Sequence, residues 1–341
     1  MEQANLNWSD LVFGYTPTDV NVRCSFSDGK WGALYTTTDK YINLHISATA
    51  IQYGQAIFEG IKAFRGIDGK IRIFRMEENA ARIQNSALGL QMPPVPTDLF
   101  CEAVRIAIKE NLRFVPPYGT GASLYVRPIV IGTEGRIGVH PGNKYEFIVF
   151  VTPVGPYFKV GFNATPYMLI RDYDRAAPLG TGRYKCAGNY AAGFLADEQA
   201  HALGCSALFL DSKEKKYIDE CSGANFFAVK NDTFVTPLSD TILPSITNRT
   251  LQQLAADMGM KVECRPIPYQ ELAEFSEAAA CGTGAIICPI SKIIDPAENK
   301  IYQFGDGQPG KWCRKLYQAY TDIQYGRAED RYGWCEMLDF E

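Results

Sequence analysis

The chain contains 341 residues, of which 46% are hydrophobic and 21% are charged, and its formal net charge is −4. This composition is typical of a folded protein of about two domains, and it excludes an intrinsically disordered chain. No long basic segment is present, which argues against nucleic acid and anionic membranes as partners, and no apolar run reaches the length of a membrane span. The first ten residues lack the features of a secretory signal, and none of the ten cysteines forms a CxxC pair. We therefore expect a cytoplasmic protein with reduced thiols and no metal site.

The first half of the chain predicts short strands, a hairpin and two helices. Apolar side chains that alternate at period two indicate strands, and apolar side chains at spacings of three and four indicate helices. In chain order the predicted elements are a polar arm over residues 1–19, a strand over 42–47, a β-hairpin made of 53–65 and 70–75, a helix over 77–90, a helix from Thr97 with Phe100, Ala103, Val104 and Ala107 on its apolar face, and strands over 122–131 and 146–152.

The second half mixes strands and helices without strict alternation, which predicts an α+β fold in both domains. A Pro/Gly-rich stretch over residues 152–156 marks the candidate boundary between them. The predicted organisation is a smaller N-terminal domain over 1–155, an interdomain segment over 156–182 whose loop 172–182 could gate a site, and a larger C-terminal domain over 183–341. The predicted elements of the second half are strands over 168–171, 206–210, 224–229, 234–237 and 261–265, and helices over 245–259 and 310–325.

One lysine stands out in the segment 181–194, which reads TGRYKCAGNYAAGF. Lys185 follows Gly182 closely and precedes a run of small residues that predicts the start of a helix. Burial of a lysine at such a place lowers its pKa and frees its amine to form a Schiff base with an aldehyde or ketone. By itself the segment also fits an ordinary surface lysine in a glycine-rich loop.

Three further segments could serve an aldehyde cofactor that carries a phosphate. Glu220 could pair with a pyridine nitrogen and keep the ring protonated as an electron sink, or it could be a plain turn residue. The helix start at 243–247 offers N–H groups to a phosphate, although Ser245 could simply cap that helix. The small residues of 282–285 could direct N–H groups at a phosphate or carboxylate, or form a tight turn without function.

Together and in this order, these segments resemble the branched-chain amino-acid aminotransferases, which are pyridoxal phosphate enzymes of fold type IV. The resemblance covers about residues 31–334 and implies the two-domain α+β architecture of that family. Its most specific parts are 53–65 (YGQAIFEGIKAFR), 124–128 (LYVRP), 131–134 (IGTE), 185–190 (KCAGNY), 220–226 (ECSGANF), 243–247 (LPSIT) and 282–284 (GTG).

The resemblance implies pyridoxal 5′-phosphate as cofactor and a role for each matching residue. Lys185 is similar to the catalytic lysine that binds the cofactor and moves the substrate Cα proton. Glu220 is similar to the partner of the ring nitrogen, and Tyr190 to the partner of the cofactor O3′. The phosphate would be bound by Arg82, Ile246, Thr247 and Thr283. The substrate would meet an aromatic wall of Tyr53, Phe58, Tyr125 and Tyr157, the N–H groups of Gly284 and Ala285, and Arg127, which would help the pocket accept glutamate. The aromatic residues also suit a plain apolar core, and Arg127 also suits a structural ion pair.

The implied activity is reversible transamination between L-leucine, L-isoleucine or L-valine and 2-oxoglutarate, carried out by a homodimer. A D-amino-acid aminotransferase or an aminodeoxychorismate lyase would share Lys185 and Glu220, but the segments 53–65 and 125–127 resemble the branched-chain group. A non-catalytic binding protein is a further alternative, which the joint presence of Lys185, Glu220 and Arg82 disfavours. One departure is visible: Ala285 replaces the first cysteine of the redox-active CxxC pair found in some members, which puts thiol–disulfide regulation in doubt.

Overall fold

The chain folds into two compact units, which a computed structural model describes over residues 2–155 and 162–339. The first unit consists of Met1–Lys159, Tyr184–Gly188 and Asp322–Glu341, and the second consists of Val160–Arg183 and Asn189–Thr321. The short segment around Lys185 and the C-terminal segment thus pack with the first unit. The predicted domain limits at residues 155 and 183 stay a prediction.

The secondary structure mixes strands and helices, so the α+β prediction is confirmed. The strands are β1 (Asn21–Ser27), β2 (Lys30–Trp31), β3 (Tyr35–Thr37), β4 (Ala56–Phe58), β5 (Ile61–Arg65), β6 (Ile71–Phe74), β7 (Ser123–Gly132), β8 (Tyr145–Val154), β9 (Thr165–Ile170), β10 (Ser206–Leu210), β11 (Ile218–Cys221), β12 (Asn225–Lys230), β13 (Thr233–Pro237), β14 (Lys261–Arg265), β15 (Glu277–Gly282), β16 (Ile286–Asp295), β17 (Lys300–Gln303) and β18 (Cys335–Leu338). The helices are α1 (Thr49–Tyr53), α2 (Met76–Gly89), α3 (Thr97–Glu110), α4 (Gly188–Ala191), α5 (Phe194–Ala202), α6 (Ile246–Asp257) and α7 (Lys311–Gln324), with 3₁₀ turns at Leu112–Phe114 and Tyr269–Glu274. Within residues 2–155 and 162–339, none of the helices has the length and apolar character that a membrane span requires.

The first unit is built on an antiparallel sheet whose strand order is β18-β6-β5-β7-β8-β1-β2, with β3 beside β1 and β4 beside β7. The predicted hairpin is confirmed around its turn, because β5 pairs with β6 in antiparallel register. Its first arm is shorter than the predicted 53–65, since Tyr53 ends α1 and the separate strand β4 pairs with β7. Gly69 lies in its turn with a φ of +79°, a left-handed conformation that glycine adopts without steric cost. The long β7–β8 pair runs from Ser123 opposite Val154 to Gly132 opposite Tyr145.

Helices α2 and α3 contribute to the hydrophobic core of this unit, as their sequence periodicity predicts. The predicted apolar face of α3 is buried. The ring of Phe100 stacks on Phe147 of β8 with 5.9 Å between ring centroids. A fully buried side chain of this kind contributes about 1.5–3 kcal/mol, so this face holds α3 on the sheet. The face of α2 that carries Asn79, Arg82 and Ser86 is also buried, and it bears polar groups.

The second unit is built on a mixed sheet with the order β11-β10-β9-β16-β15-β12-β13-β14 and with β17 beside β16. The pairs β9–β10, β9–β16 and β13–β14 are parallel. Helix α6 begins as predicted, because the Ser245 side chain accepts a hydrogen bond from the N–H of Asn248, a normal N-cap. The sheet places β11, which carries Glu220, at its edge.

One predicted strand is wrong. Residues 42–47 form no strand, and Ile42 and Ile46 are 38% and 88% exposed. Alternation leads to a half-buried strand only where the segment pairs with a neighbouring strand and its apolar face packs on the core. Among the strands that were not predicted are β11, inside a segment rich in turn residues, and β18, which pairs with β6.

Candidate active site

The backbone of Lys185 is bound on two sides within the first unit. The N–H of Lys185 donates to the hydroxyl of Ser86 on α2, with 3.0 Å between nitrogen and oxygen. The carbonyl of Lys185 accepts from the N–H of Phe58 at 3.1 Å, and the N–H of Ala187 donates to the carbonyl of Ala56 at 3.0 Å. The segment thus lies along the edge of β4 like a short additional strand, which fixes where the Lys185 side chain starts.

The side chain of Lys185 is half-buried, and its amine lies 4.7 Å from the centroid of the Phe58 ring. Burial, and secondly the positive charge of Arg82, lower the pKa of this amine to about 8, while Glu59 opposes the shift. The loss of surrounding water and the presence of a nearby positive charge both disfavour the ammonium form. The amine therefore loses its proton close to neutral pH, as a nucleophile or general base requires.

Arg82 is held by a buried glutamate that the sequence analysis did not single out. Its Nε and Nη2 donate to the two oxygens of Glu59, each at 2.7 Å. The amide of Asn79, one turn earlier on α2, also donates to Glu59 at 2.7 Å. Burial alone would raise the pKa of Glu59, but Arg82 holds it below its usual value. In the sequence, the only sign that Glu59 is buried is its position as a charged residue inside the apolar run 56–61.

Tyr125 and Arg127 lie on β7, and Phe58 lies on the neighbouring strand β4. Arg127 donates to the Tyr125 hydroxyl at 3.0 Å, and its guanidinium lies 4.7 Å from the Phe58 ring centroid. The buried Nε of Arg127 has no hydrogen-bond partner among the described residues. Gly60 is required for this packing, because a Cβ there would lie 2.0 Å from the Tyr125 hydroxyl. The result is an aromatic surface with one cationic edge.

The two other tyrosines assigned to the substrate wall stay predictions. Tyr53 ends α1 and is 37% exposed, and its hydroxyl donates to the carbonyl of Ile137 in the loop between β7 and β8. Tyr157 lies outside the described residues.

Glu220 lies near the end of β11 with each carboxylate oxygen bound. Oε1 accepts from the N–H of Leu243 at 3.0 Å, and Oε2 accepts from the Asn225 amide at 2.9 Å. Arg175 forms an ion pair with Oε1. Burial raises the pKa of Glu220 to about 7, although Arg175 acts in the opposite direction. A carboxyl with this pKa and fixed geometry is suited to share a proton with a basic nitrogen.

Apart from Arg82, the residues that are predicted to bind the cofactor phosphate and the substrate carboxylate lie in the second unit. The residues Ile246 and Thr247 form the buried first turn of α6, whose N–H groups lack partners inside the helix and favour an anion. Asn225, which binds Glu220, pairs in register with Cys281 of β15. That strand leads into the turn that holds Thr283, Gly284 and Ala285, all half-exposed. Tyr190 is half-buried in α4.

In the first unit, the structure brings together Lys185, Phe58, Arg82, Tyr125 and Arg127. In the second unit, β12 links Glu220 with the strand that leads to the turn 283–285, and Leu243 links Glu220 with the loop before α6. The group in the first unit contains the Lys185 amine, the aromatic surface and the cations Arg82 and Arg127. The group in the second unit contains the buried carboxylate of Glu220 and the N-terminus of α6.

Comparison with known proteins gives the family. The family described as amino-transferase class IV matches residues 56–293. The branched-chain-amino-acid aminotransferase of Haemophilus influenzae is 41% identical over 343 residues, covering 98% of this chain and 99% of that protein. The enzyme of the same name from Helicobacter pylori is 42% identical over 334 residues, covering 97% of each chain.

Solved structures of the same kind share the whole fold. The Escherichia coli branched-chain amino acid aminotransferase matches with a TM-score of 0.79 at 26% identity, covering 94% of this chain and 99% of that chain. A second branched-chain amino acid aminotransferase, solved with pyridoxamine 5′-phosphate, matches with a TM-score of 0.77 at 26% identity, covering 92% and 97%. This chain therefore belongs to the branched-chain-amino-acid aminotransferases, in the class IV aminotransferase family.

Proposed function

We propose that this protein transfers an amino group reversibly between L-leucine, L-isoleucine or L-valine and 2-oxoglutarate, with pyridoxal 5′-phosphate as cofactor. The products are the branched 2-oxo acids and L-glutamate. The observation that carries the proposal is the half-buried amine of Lys185, whose pKa is lowered to about 8 and whose backbone is bound on both sides. The names of the Haemophilus and Helicobacter relatives support the substrate class.

The residues fit this cofactor one chemical group at a time. Lys185 suits the aldehyde, and the buried Glu220 suits the ring nitrogen. The first turn of α6, with the hydroxyls of Thr247 and Thr283, suits the phosphate, as does the guanidinium of Arg82. The unpartnered Nε of Arg127 among the described residues is a buried donor that a carboxylate could satisfy. Tyr190 is the proposed partner of the cofactor O3′.

The chain's own groups then have defined tasks. When bound, the cofactor supplies a ring that stores the electrons of the substrate Cα carbanion. Lys185 takes the proton from Cα, because its amine is neutral in a useful fraction of molecules near pH 8. Glu220 holds a proton at the ring nitrogen, and Leu243 and Asn225 orient its two oxygens.

The pocket must accept an aliphatic side chain in one half-reaction and an acidic one in the other. We assign the aliphatic side chain to the faces of Phe58 and Tyr125, and the distal carboxylate of glutamate to Arg127. The guanidinium of Arg127 lies above both rings, at 4.7 Å and 5.1 Å from their centroids. The substrate α-carboxylate would bind the N–H groups of Gly284 and Ala285. Apolar surface with a few placed polar groups is the usual make-up of such a pocket.

The visible absorption spectrum of the purified protein tests the proposal, recorded before and after addition of L-leucine without any 2-oxo acid. We expect the band of the bound cofactor to convert to that of its aminated form, and 2-oxoglutarate to restore it. Lys185→Ala and Lys185→Arg should both fail to convert. Conversion by the Lys185→Arg variant would contradict the assignment of this amine.

Two other outcomes would redirect the assignment. A cofactor band that responds to D-alanine and not to L-leucine would favour the D-amino-acid alternative on the same fold. Absence of any band after addition of pyridoxal 5′-phosphate would favour a binding protein without catalysis.

The loop 172–182 is proposed as a gate of the site. Full protection of its backbone amides from hydrogen exchange in the absence of substrate would contradict this proposal.

We further propose a homodimer in the cytoplasm. All ten cysteines are free, which suits a reducing compartment. The first unit exposes large apolar side chains, including Tyr41 at 83% and Ile46 at 88%, which suits a subunit contact. Light scattering after size-exclusion chromatography tests the dimer, and cell fractionation tests the compartment.

A further inference from the structure

A buried arginine in the loop before Lys185 binds the carboxylate of Glu220. Arg175 is 8% exposed and lies in the segment between β9 and α4. Its Nη2 donates to the carbonyl of Gly182 at 2.8 Å and to the carbonyl of Thr241 at 2.6 Å. The same nitrogen forms the ion pair with Glu220 Oε1. One guanidinium nitrogen thus joins the loop 172–182, the loop before α6 and the strand that carries Glu220.

Burying the guanidinium of Arg175 costs folding free energy. The Nε of Arg175 is buried and has no hydrogen-bond partner in the described part of the chain. A buried donor without a partner destabilises the folded state. Features of this kind concentrate where a protein needs a group for its function. The position of the guanidinium is therefore set by its carboxylate and carbonyl contacts.

The two loops approach each other at a glycine. A Cβ at Gly182 would lie 2.3 Å from the carbonyl oxygen of Thr241 and 2.9 Å from the Ala176 side chain. Only glycine therefore allows both carbonyls to reach the same arginine nitrogen. The hydroxyl of Thr241 also donates to both oxygens of Asp219, at 2.8 Å each, which fixes that loop from the other side.

Among the described residues, few charged or titratable groups face Glu220. They are Arg175 and Asp219, and the buried thiols of Cys221 and Cys281, whose pKa values are raised by burial. Asp219 repels the charge of Glu220, and Arg175 attracts it. In the protein without bound cofactor, Arg175 is thus the cation that favours the ionised form of Glu220.

We propose that Arg175 is the positioning residue of this carboxylate: it holds Glu220 ionised and oriented, and it ties the arrangement of the loop 172–182 to that charge. The inference rests on the proposed function, in which Glu220 serves the ring nitrogen of the cofactor. Disturbing the loop would then weaken cofactor binding through Glu220.

The direction in which pH changes the folding stability gives a test on the full-length protein without cofactor. The pKa of Glu220 is raised in the folded state, so its burial costs stability progressively as pH rises from about 4.5 to about 7. Without Arg175 the folded-state pKa rises further and the cost at high pH grows. Arg175→Met should therefore lower the urea midpoint more at about pH 8 than at about pH 5. This pH dependence should be smaller in a Glu220→Gln background, where Asp219 is the remaining carboxyl whose pKa Arg175 lowers.

Cofactor binding supplies the second readout. The dissociation constant of pyridoxal 5′-phosphate, measured by absorption, should rise on the order of tenfold in Arg175→Met, the size expected for a residue that orients a ligand group. Gly182→Ala, which leaves both charges in place, should also raise it, and Arg175→Lys should recover part of the loss. If Arg175→Met does not fold, Arg175→Lys and Gly182→Ala carry both measurements.

Equal destabilisation at both pH values and in both backgrounds would overturn the proposal, since it would show a purely structural arginine. An unchanged dissociation constant in a folded variant would also overturn it. Failure of the wild-type protein to bind the cofactor would instead contradict the proposed function. The pH-dependent stability cycle, which needs no cofactor, would still decide whether Arg175 and Glu220 are coupled.

Discussion

Replacing Glu59 should destabilise the protein more than any loss of volume explains. Its carboxylate is fully buried, and it accepts two hydrogen bonds at 2.7 Å from Arg82, whose side chain is 8% exposed. The Asn79 amide adds a third at 2.7 Å. Removing one partner of a buried ion pair costs about 3–5 kcal/mol, because the other charge stays buried without compensation. We expect this cost for Glu59→Ala, and about 2–3 kcal/mol for Glu59→Gln, which keeps the volume and one acceptor.

Urea unfolding followed by circular dichroism measures this cost, and a double-mutant cycle assigns it. The variant Glu59→Gln/Arg82→Met removes both charges and should be more stable than the sum of the single changes predicts, by about 2 kcal/mol. The pKa of Glu59 is lowered in the folded state, so the stabilisation is present above its ordinary value of 4.5 and is lost as pH falls through the folded-state pKa. The gap between wild type and Glu59→Gln should therefore narrow in acid. Additive single changes, or a gap independent of pH, would refute the reasoning.

Three further predictions follow from the contacts of the site. Gly60→Ala should displace the Tyr125 hydroxyl, since the new Cβ would lie 2.0 Å from it. Steady-state kinetics should then show a loss of kcat/KM for 2-oxoglutarate, and unchanged kinetics would contradict the proposed role of this packing. Ser245→Ala removes the bond to the Asn248 N–H at 3.1 Å and should cost about 1 kcal/mol in urea unfolding, while a neutral result would mean that another group caps α6. In cofactor-free protein, the rate at which the Lys185 amine reacts with an amine-reactive reagent should rise with pH, with a midpoint near pH 8 instead of the ordinary pKa of 10.5. A midpoint near the ordinary value would show that the amine is solvated.

Local patterns were sufficient for elements whose own residues specify them. Helix α3 has its predicted apolar face buried, and the hairpin β5–β6 turns at Gly69. The strand expected over 42–47 is absent, because alternation does not reveal whether a second strand will pair with the segment. Strand β11 was missed for the opposite reason: its neighbours in the chain are turn residues, and its partner β10 supplies the pairing.

The polar partners of the site were beyond the reach of local reasoning. Glu59 pairs with Arg82, and Arg175 pairs with Glu220, each across long stretches of chain. A charged residue in an apolar run marks burial, yet nothing local identifies the opposite charge. The sequence therefore predicts no role for Glu59 or Arg175, since their partners are identified only in the folded chain.

The chemical groups of the site can be read from the sequence alone: one lysine before a helix start, a carboxylate at Glu220, and a helix that Ser245 can cap. These are properties of neighbouring residues, since caps, turns and periodicity act over a few positions. The chemical state of these groups depends on the tertiary structure. The pKa of Lys185 falls to about 8 because folding removes water and sets the charge of Arg82 beside it, and the pKa of Glu220 rises to about 7 because the effect of burial outweighs the opposing charge of Arg175. Desolvation and Coulomb interactions depend on distance in space and not along the chain.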